Sequence, residues 1–204
     1  MKPLKNFITA ALYRYPRLFP LCALGLISLI AYANSLPNSF HFDDFVGIVR
    51  NPTIRDLRNI PSYFTDTSSW SLAHGRDWRP VLQITYALNY FLGGLNPLVF
   101  RFFNLLFHIG TAFLIYLIVD EMRKGSPLEV PRESLWSMNL PALLPGALFA
   151  VHTANTEAIN YIWARSSLLA AFFYLLAFYF FLRGPLGGKK ERNLLWHAGG
   201  LLSF

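Results

Sequence analysis

Long apolar runs alternate with short polar segments along the chain. The first run, Phe19–Leu36, contains no charged residue. At 1.5 Å per residue it reaches roughly 27 Å as a helix, about one hydrocarbon core. Further runs cover about 97–119, 135–151 and 166–182, and a fifth opens at Leu194 and stops at Phe204, so the sequence reads as truncated. The third run contains Pro141, Pro145 and Gly146, which a membrane helix tolerates when neighbours satisfy the freed backbone groups. Residues 37–95 hold no span. Within them, "RPVLQITYALNYFLGGLNP" places Pro80 near a helix start and Gly93-Gly94 at its end. Val81, Leu82, Ile84, Leu88 and Phe91 give this helix an apolar face, so it is expected to lie on the membrane rather than cross it. The pattern predicts an all-α fold: a polytopic helical bundle forming one transmembrane domain over 1–204, with an exoplasmic loop at 37–95 carrying short interfacial helices.

Charge orients these runs. Lys2, Lys5, Arg14 and Arg17 precede the first span and place the N-terminus in the cytoplasm. The same basic start, apolar run and "AYA" at 31–33 also describe a cleavable signal peptide. Both readings put residues 37–95 outside. Only 14% of the 204 residues are charged, 54% are hydrophobic and the mean hydropathy is +0.36, against about a quarter charged in soluble domains. The net charge of +7 gathers at the ends of apolar runs, as topology signals do, and does not point to nucleic acid. Cys22, the single cysteine, rules out an intrachain disulfide framework.

Candidate chemistry collects at the predicted outer rim. Asp43 and Asp44 lie just beyond the first span among Phe40, Phe42 and Phe45. Apolar neighbours raise a carboxylate's proton affinity and make it a better base; the plain alternative is a cap or turn near Asn51-Pro52. Arg101, Asn104, His108 and Thr111 share one face of the second span. They serve either helix–helix hydrogen bonding or a wet cavity. The turn between the third and fourth spans holds His152, Thr153, Asn155, Thr156, Glu157 and Arg165. Glu157 also suits a helix N-terminus and Arg165 an interfacial snorkelling role. Acids and bases in two outer turns, between spans that must associate, point to an active site at the membrane surface. HExxH, P-loop, GxSxG and CxxC patterns are absent from the sequence. A transporter or channel lined by the polar stripe, and a non-catalytic membrane scaffold, are the rival readings; no repeated halves support transport.

Three blocks, "NSFHFDDFVGIVRNPTIRDL", "RDWRPVLQITYALNYFLGGLNPLVFRFFNLLFH" and "ALFAVHTANTEAINYIWARSSLLAAFFYLLAFYFF", resemble the N-terminal membrane region of the transmembrane-and-TPR O-mannosyltransferases and their bacterial relatives, within the GT-C superfamily of glycosyltransferases. The likeness covers roughly residues 30–183. Where the family usually reads His-Pro, this chain has His152-Thr153, while keeping the histidine and the Thr156-Glu157 pair. The resemblance implies a GT-C-like enzyme that moves a sugar from a polyprenyl-phosphate donor to a protein, lipid or glycan hydroxyl on the exoplasmic side. Its acidic pair carries over to Asp43 and Asp44 as the catalytic carboxylates, with Asp43 as base and Asp44 as helper or ligand of a divalent cation (Mg or Mn). Arg79, Arg101, His108, His152 and Arg165 are the cations available to the lipid phosphate, and Asn104, Thr156 and Glu157 the supporting residues. Single displacement with inversion, a bacterial inner membrane (or an endoplasmic reticulum membrane in a eukaryote) and C-terminal tetratricopeptide repeats beyond this sequence complete the expectation.

Overall fold

The charge-free run following Arg17 forms helix α1, Leu18–Tyr32, which tightens into a 3-10 turn at Ala33–Ser35. Ser35 Oγ donates to the Tyr32 carbonyl (2.8 Å), satisfying one of the orphaned acceptors at the helix end. The computed structural model describes residues 17–66, 78–124 and 140–184, and no strand occurs among them. The remaining α-helices are α2 (Ser62–Thr65), α3 (Pro80–Gly93), α4 (Pro97–Arg123), α5 (Leu140–Val151), α6 (Thr156–Asn160) and α7 (Arg165–Arg183). Leu18–Ser35, Pro97–Arg123 and Ile162–Arg183 are long and apolar enough to cross a membrane. The chain is therefore an all-α membrane protein. Helix α5 has 12 described residues; the expected start of its span at 135–139, the segment 125–134 and the run from Leu194 lie outside the described residues.

The chain divides into two compact units, Met1–Ala31 with Ile109–His152 and Phe172–Phe204, and Tyr32–His108 with Thr153–Ala171. The first, the span unit, is built around an apolar core of Leu24, Ala112, Tyr116, Leu117, Ala142, Ala150 and Tyr179. Ala142, Gly146 and Ala150 recur every fourth residue and form the buried stripe of α5. A Cβ on Gly146 would come within 2.8 Å of the Ala112 carbonyl, so the small residue lets two backbones touch, as membrane helices do in the absence of a hydrophobic driving force. Pro145 stands inside the same helix, beside this close contact. Leu26, Ile30, Leu144, Leu148 and Phe181 stay exposed, the surface expected of side chains solvated by lipid. Helix α4 runs one turn past the expected Val119. There Lys124 pairs with Asp120 (3.2 Å) and Glu121 (2.9 Å), and Arg183 approaches Glu121 (3.8 Å).

The second, the loop unit, is built differently. Asn51 is buried and organises the turn after it: its Oδ1 accepts from the Thr53 N–H (3.0 Å) and hydroxyl (2.7 Å). Asp56 caps the 3-10 turn Leu57–Asn59 by accepting from the Arg58 N–H. Tyr63 is fully buried and its hydroxyl donates to the Thr53 carbonyl (2.9 Å). Helix α3 begins at Pro80 and ends at Gly94, whose φ of 58° is open to glycine at little cost. Its 14 residues span roughly 21 Å, too short for a crossing. Leu82, Tyr86 and Ala87 are buried, while Val81, Leu88, Phe91 and Leu92 remain exposed.

Candidate active site

Asp43 and Asp44 separate completely. Asp44 is fully buried, and its carboxylate accepts main-chain N–H bonds from Trp163 on Oδ1 (2.8 Å) and His41 on Oδ2 (3.0 Å). Burial pushes its carboxyl above the usual range, against the pull of those two N–H groups and of Arg101. Asp43 points outward. Its N–H donates to the Tyr161 hydroxyl (3.3 Å), and that hydroxyl donates back to Asp43 Oδ2 (2.6 Å). The divergence follows from the backbone: Phe42 has a φ of 44°, rare for a residue with a Cβ, and Asp44 opens a π-helical turn at Phe45–Val49. Gly47 in that turn lies beneath the Trp163 ring, and a Cβ there would stand 1.7 Å from Cζ3.

Two buried arginines hold the same segments from below. Arg101 is fully buried and donates through Nε to the Asn160 carbonyl (3.0 Å) and through its two other nitrogens to the carbonyls of Asn38 and Ser39. Arg165 is equally buried. Its Nε donates to Asn104 Oδ1 (2.6 Å), Nη1 to Thr85 Oγ1 (3.0 Å) and Nη2 to the Phe100 carbonyl (2.7 Å), with the guanidinium 4.8 Å from the Tyr86 ring centre. Asn104 Nδ2 then reaches the carbonyls of Ala158 (3.3 Å) and Ile159 (3.2 Å), and the Tyr86 hydroxyl donates to that of Ile162 (3.0 Å). Arg101 thus satisfies carbonyls of the non-helical segment at Asn38 and Ser39, and Arg165 adds a bond to a carbonyl in the first turn of α4.

Of the candidates taken from the sequence, the structure gathers Asp43, Asp44, Arg101, Asn104 and Arg165 around residues 158–165. Arg79 is half-buried and its Nη1 lies 3.4 Å from Ser166 Oγ. His108 is buried edge-on to the Tyr32 ring, with centroids 5.4 Å apart. Thr156 hydrogen-bonds Tyr32, and Glu157 lies exposed in the first turn of α6. His152 is exposed and belongs to the span unit. The stripe of Arg101, Asn104, His108 and Thr111 is buried throughout, and its first two members bond to main chain instead of lining a wet path. Among the described residues no group of three His, Cys, Asp or Glu is gathered for a metal. Asp44 already has both oxygens on N–H groups, so a cation fits poorly there in this conformation. Tyr161, Trp163, Gly47 and Phe42 were missed as site residues. Tyr161 and Trp163 stand two apart after an extended Tyr161 (φ −92°, ψ 108°), and their place in the third sequence block was the available signal.

The fold and this geometry define a class: an all-α membrane protein whose paired acids are docked on a turn between helices, one sealed and one free. Over about four-fifths of its length the chain is similar to the human "Protein O-mannosyl-transferase TMTC4" (29% identity; 82% of this chain, 23% of that protein). Comparable matches are the human "Protein O-mannosyl-transferase TMTC1" (31%; 79% and 18%) and the Drosophila melanogaster "Protein O-mannosyl-transferase Tmtc1" (28%; 81% and 18%). The chain spans about a fifth of the length of these curated relatives. No family model and no solved structure matches it.

Proposed function

We propose that the chain carries the acid-bearing part of a membrane glycosyltransferase that transfers a hexose, mannose by analogy with the relatives' names, from a polyprenyl-phosphate donor to a hydroxyl acceptor at the exoplasmic face. The observation that carries this reading is the exposed Asp43 carboxylate, held by Tyr161 at the docking point of the 38–45 and 158–165 segments while Asp44 is buried. In the transfer step Asp43 takes the acceptor hydroxyl's proton as that oxygen bonds to the anomeric carbon. The bond from that carbon to the phosphate oxygen breaks, and its electron pair leaves on the lipid phosphate. Carbon is attacked from the side opposite the leaving group, so configuration inverts.

Charge grows on the phosphate in this step and needs cations. Among the described residues the fully buried charged groups are Arg101 and Arg165 against Asp44. This positive surplus under the site favours an anion. Arg79, half-exposed, is the candidate for direct contact, with the two buried arginines acting through their field; His152 and His108 are the remaining candidates taken from the sequence. The N-terminus is assigned to the cytoplasm on its basic residues, and the membrane to a bacterial inner membrane or, in a eukaryote, the endoplasmic reticulum.

The donor class is tested by supplying the full-length protein in proteoliposomes with radiolabelled mannose on either a polyprenyl phosphate or a nucleotide. Transfer from the lipid donor alone, giving product of inverted anomeric configuration by NMR, is expected. Transfer from the nucleotide sugar alone, or retained configuration, would overturn the reading.

A further inference from the structure

Among the described residues, the side chain that hydrogen-bonds Asp43 is Tyr161, and it does so twice, accepting from the main-chain N–H and donating to Oδ2. We propose that Tyr161 is a positioning residue, whose hydroxyl fixes the Asp43 carboxylate so that Oδ1 takes the acceptor's proton. The inference rests on the reading of Asp43 as the base.

A simple tether does not account for the pair. The two segments are already joined by Asp44 to the Trp163 N–H, by Arg101 to Asn38, Ser39 and Asn160, and by Asn104 to Ala158 and Ile159. Those bonds are sheltered, whereas the Asp43–Tyr161 bonds are exposed, where water competes and little stability results. The backbone is nevertheless shaped to make them. Phe42 adopts a left-handed φ of 44° that is unfavourable for its side chain. That turn presents both the N–H and the carboxylate of Asp43 to one phenol. The Phe42 ring, 85% exposed, stands edge-on to the Tyr161 ring with centroids 6.4 Å apart and planes at 89°, flanking the phenol.

The consequence is a division between the two oxygens of Asp43. Oδ2 is occupied by the phenol, and Oδ1 receives no hydrogen bond from the described residues, so the proton-accepting lone pairs are aimed by the fold. Tyr161 keeps its own proton throughout the step. Its hydroxyl is pushed up to about 12 by desolvation and by the Asp43 carboxylate, which keeps it a donor across the working range. The other charged group acting on the phenol is Asp44, which itself faces Arg101 and His41. Removing the phenol hydroxyl therefore frees the orientation of the Asp43 carboxylate.

The test is the kcat and KM for transfer from polyprenyl-phosphate mannose by the full-length protein in proteoliposomes, with cleavage of residues 38–66 as the control for folding. For Tyr161→Phe we expect kcat to fall by roughly tenfold, with KM for the donor within about twofold of wild type and the loop equally protected. Incorporating 4-aminophenylalanine at 161, which keeps a donor toward Oδ2 in nearly the same shape, should hold kcat within about threefold of wild type, which keeps the proposal testable if Tyr161→Phe misfolds. An unchanged kcat in Tyr161→Phe, a loss expressed in KM alone, or a tenfold fall in kcat with aminophenylalanine would overturn the positioning role. Asp43→Asn separates the two claims. If it is inactive and kcat of the Tyr161 variants is that of wild type, only the role of Tyr161 fails; if it is active, the reading of Asp43 as base fails first.

Discussion

The span unit and the loop unit solve the same problem with opposite chemistry. In the span unit, Leu24, Ala112, Ala142 and Ala150 close an apolar core, and Gly146 lets its helix touch the Ala112 carbonyl. Shape alone does the work, since lipid offers apolar side chains as good an environment as the protein does. In the loop unit, buried Arg101, Arg165, Asn104 and Asp44 tie irregular main chain to neighbouring helices. Non-helical backbone near a membrane must have its carbonyls and N–H groups satisfied, and here charged side chains satisfy them. The difference teaches where function can reside. A close-packed core shuts in the few polar groups it has, Ser28 and Thr111 among them, whereas a hydrogen-bonded loop can hold a carboxylate such as Asp43 in a fixed position and leave it open.

The sharpest way to break this contrast is Arg165→Met. It preserves much of the side-chain volume but leaves buried Asn104 Oδ1 without its guanidinium donor and removes the bonds to Thr85 Oγ1 and the Phe100 carbonyl, at about 1–3 kcal/mol for the buried acceptor left unpaired. Limited proteolysis should show cleavage within residues 38–66 rising by tenfold or more, while protection of α5 is unchanged. Equal cleavage in wild type and variant would mean that the arginine does not hold the loop.

Smaller effects come from adding a methyl group to each unit. Gly47→Ala drives a Cβ into the Trp163 ring and Gly146→Ala into the Ala112 carbonyl, and overpacking of this kind costs about 1–3 kcal/mol. Gly47→Ala should change tryptophan fluorescence and loosen the loop, whereas Gly146→Ala should lower the thermal midpoint and leave the loop's cleavage pattern alone. If both variants loosen both units alike, the contrast between them is wrong.

The weakest predicted effect is a slope with pH. Unfolded Asp44 ionises near pH 4, but the buried folded group holds its proton to higher pH because desolvation outweighs its two N–H bonds. The folded state therefore binds more protons in that window. The stability from this group is full below about pH 4, declines as pH rises toward the raised folded value, and is flat beyond it. Protease resistance of the loop, measured from pH 4 to 7, should fall in wild type relative to Asp44→Asn. A relative rise with pH would reverse the assignment.

Much of the fold was legible because its signals are local. Apolar runs predicted α1, α4 and α7 to within a few residues, and Pro80 and Gly94 bounded α3. The end of α4 was misjudged because Asp120 and Glu121 read as a boundary, whereas Lys124 and Arg183 neutralise them and let the helix continue. The site was legible in residue type more than in arrangement. Asp43, Asp44, Arg101, Asn104 and Arg165 stood out as costly near lipid, but their partners lie some sixty or more positions away in sequence. No periodicity encodes such pairings. Nothing about Phe42 signalled its left-handed backbone, and Tyr161 and Trp163 resembled ordinary residues of an interfacial aromatic belt.

The most direct measurement is single-turnover sugar transfer by Asp43→Asn, using the full-length protein in proteoliposomes with a polyprenyl-phosphate donor. Loss of a general base costs about 10²- to 10⁴-fold, so the rate should fall by at least about a hundredfold while cleavage of residues 38–66 matches wild type. Transfer at the wild-type rate, with the loop equally protected, would contradict the assignment of Asp43 as the proton acceptor.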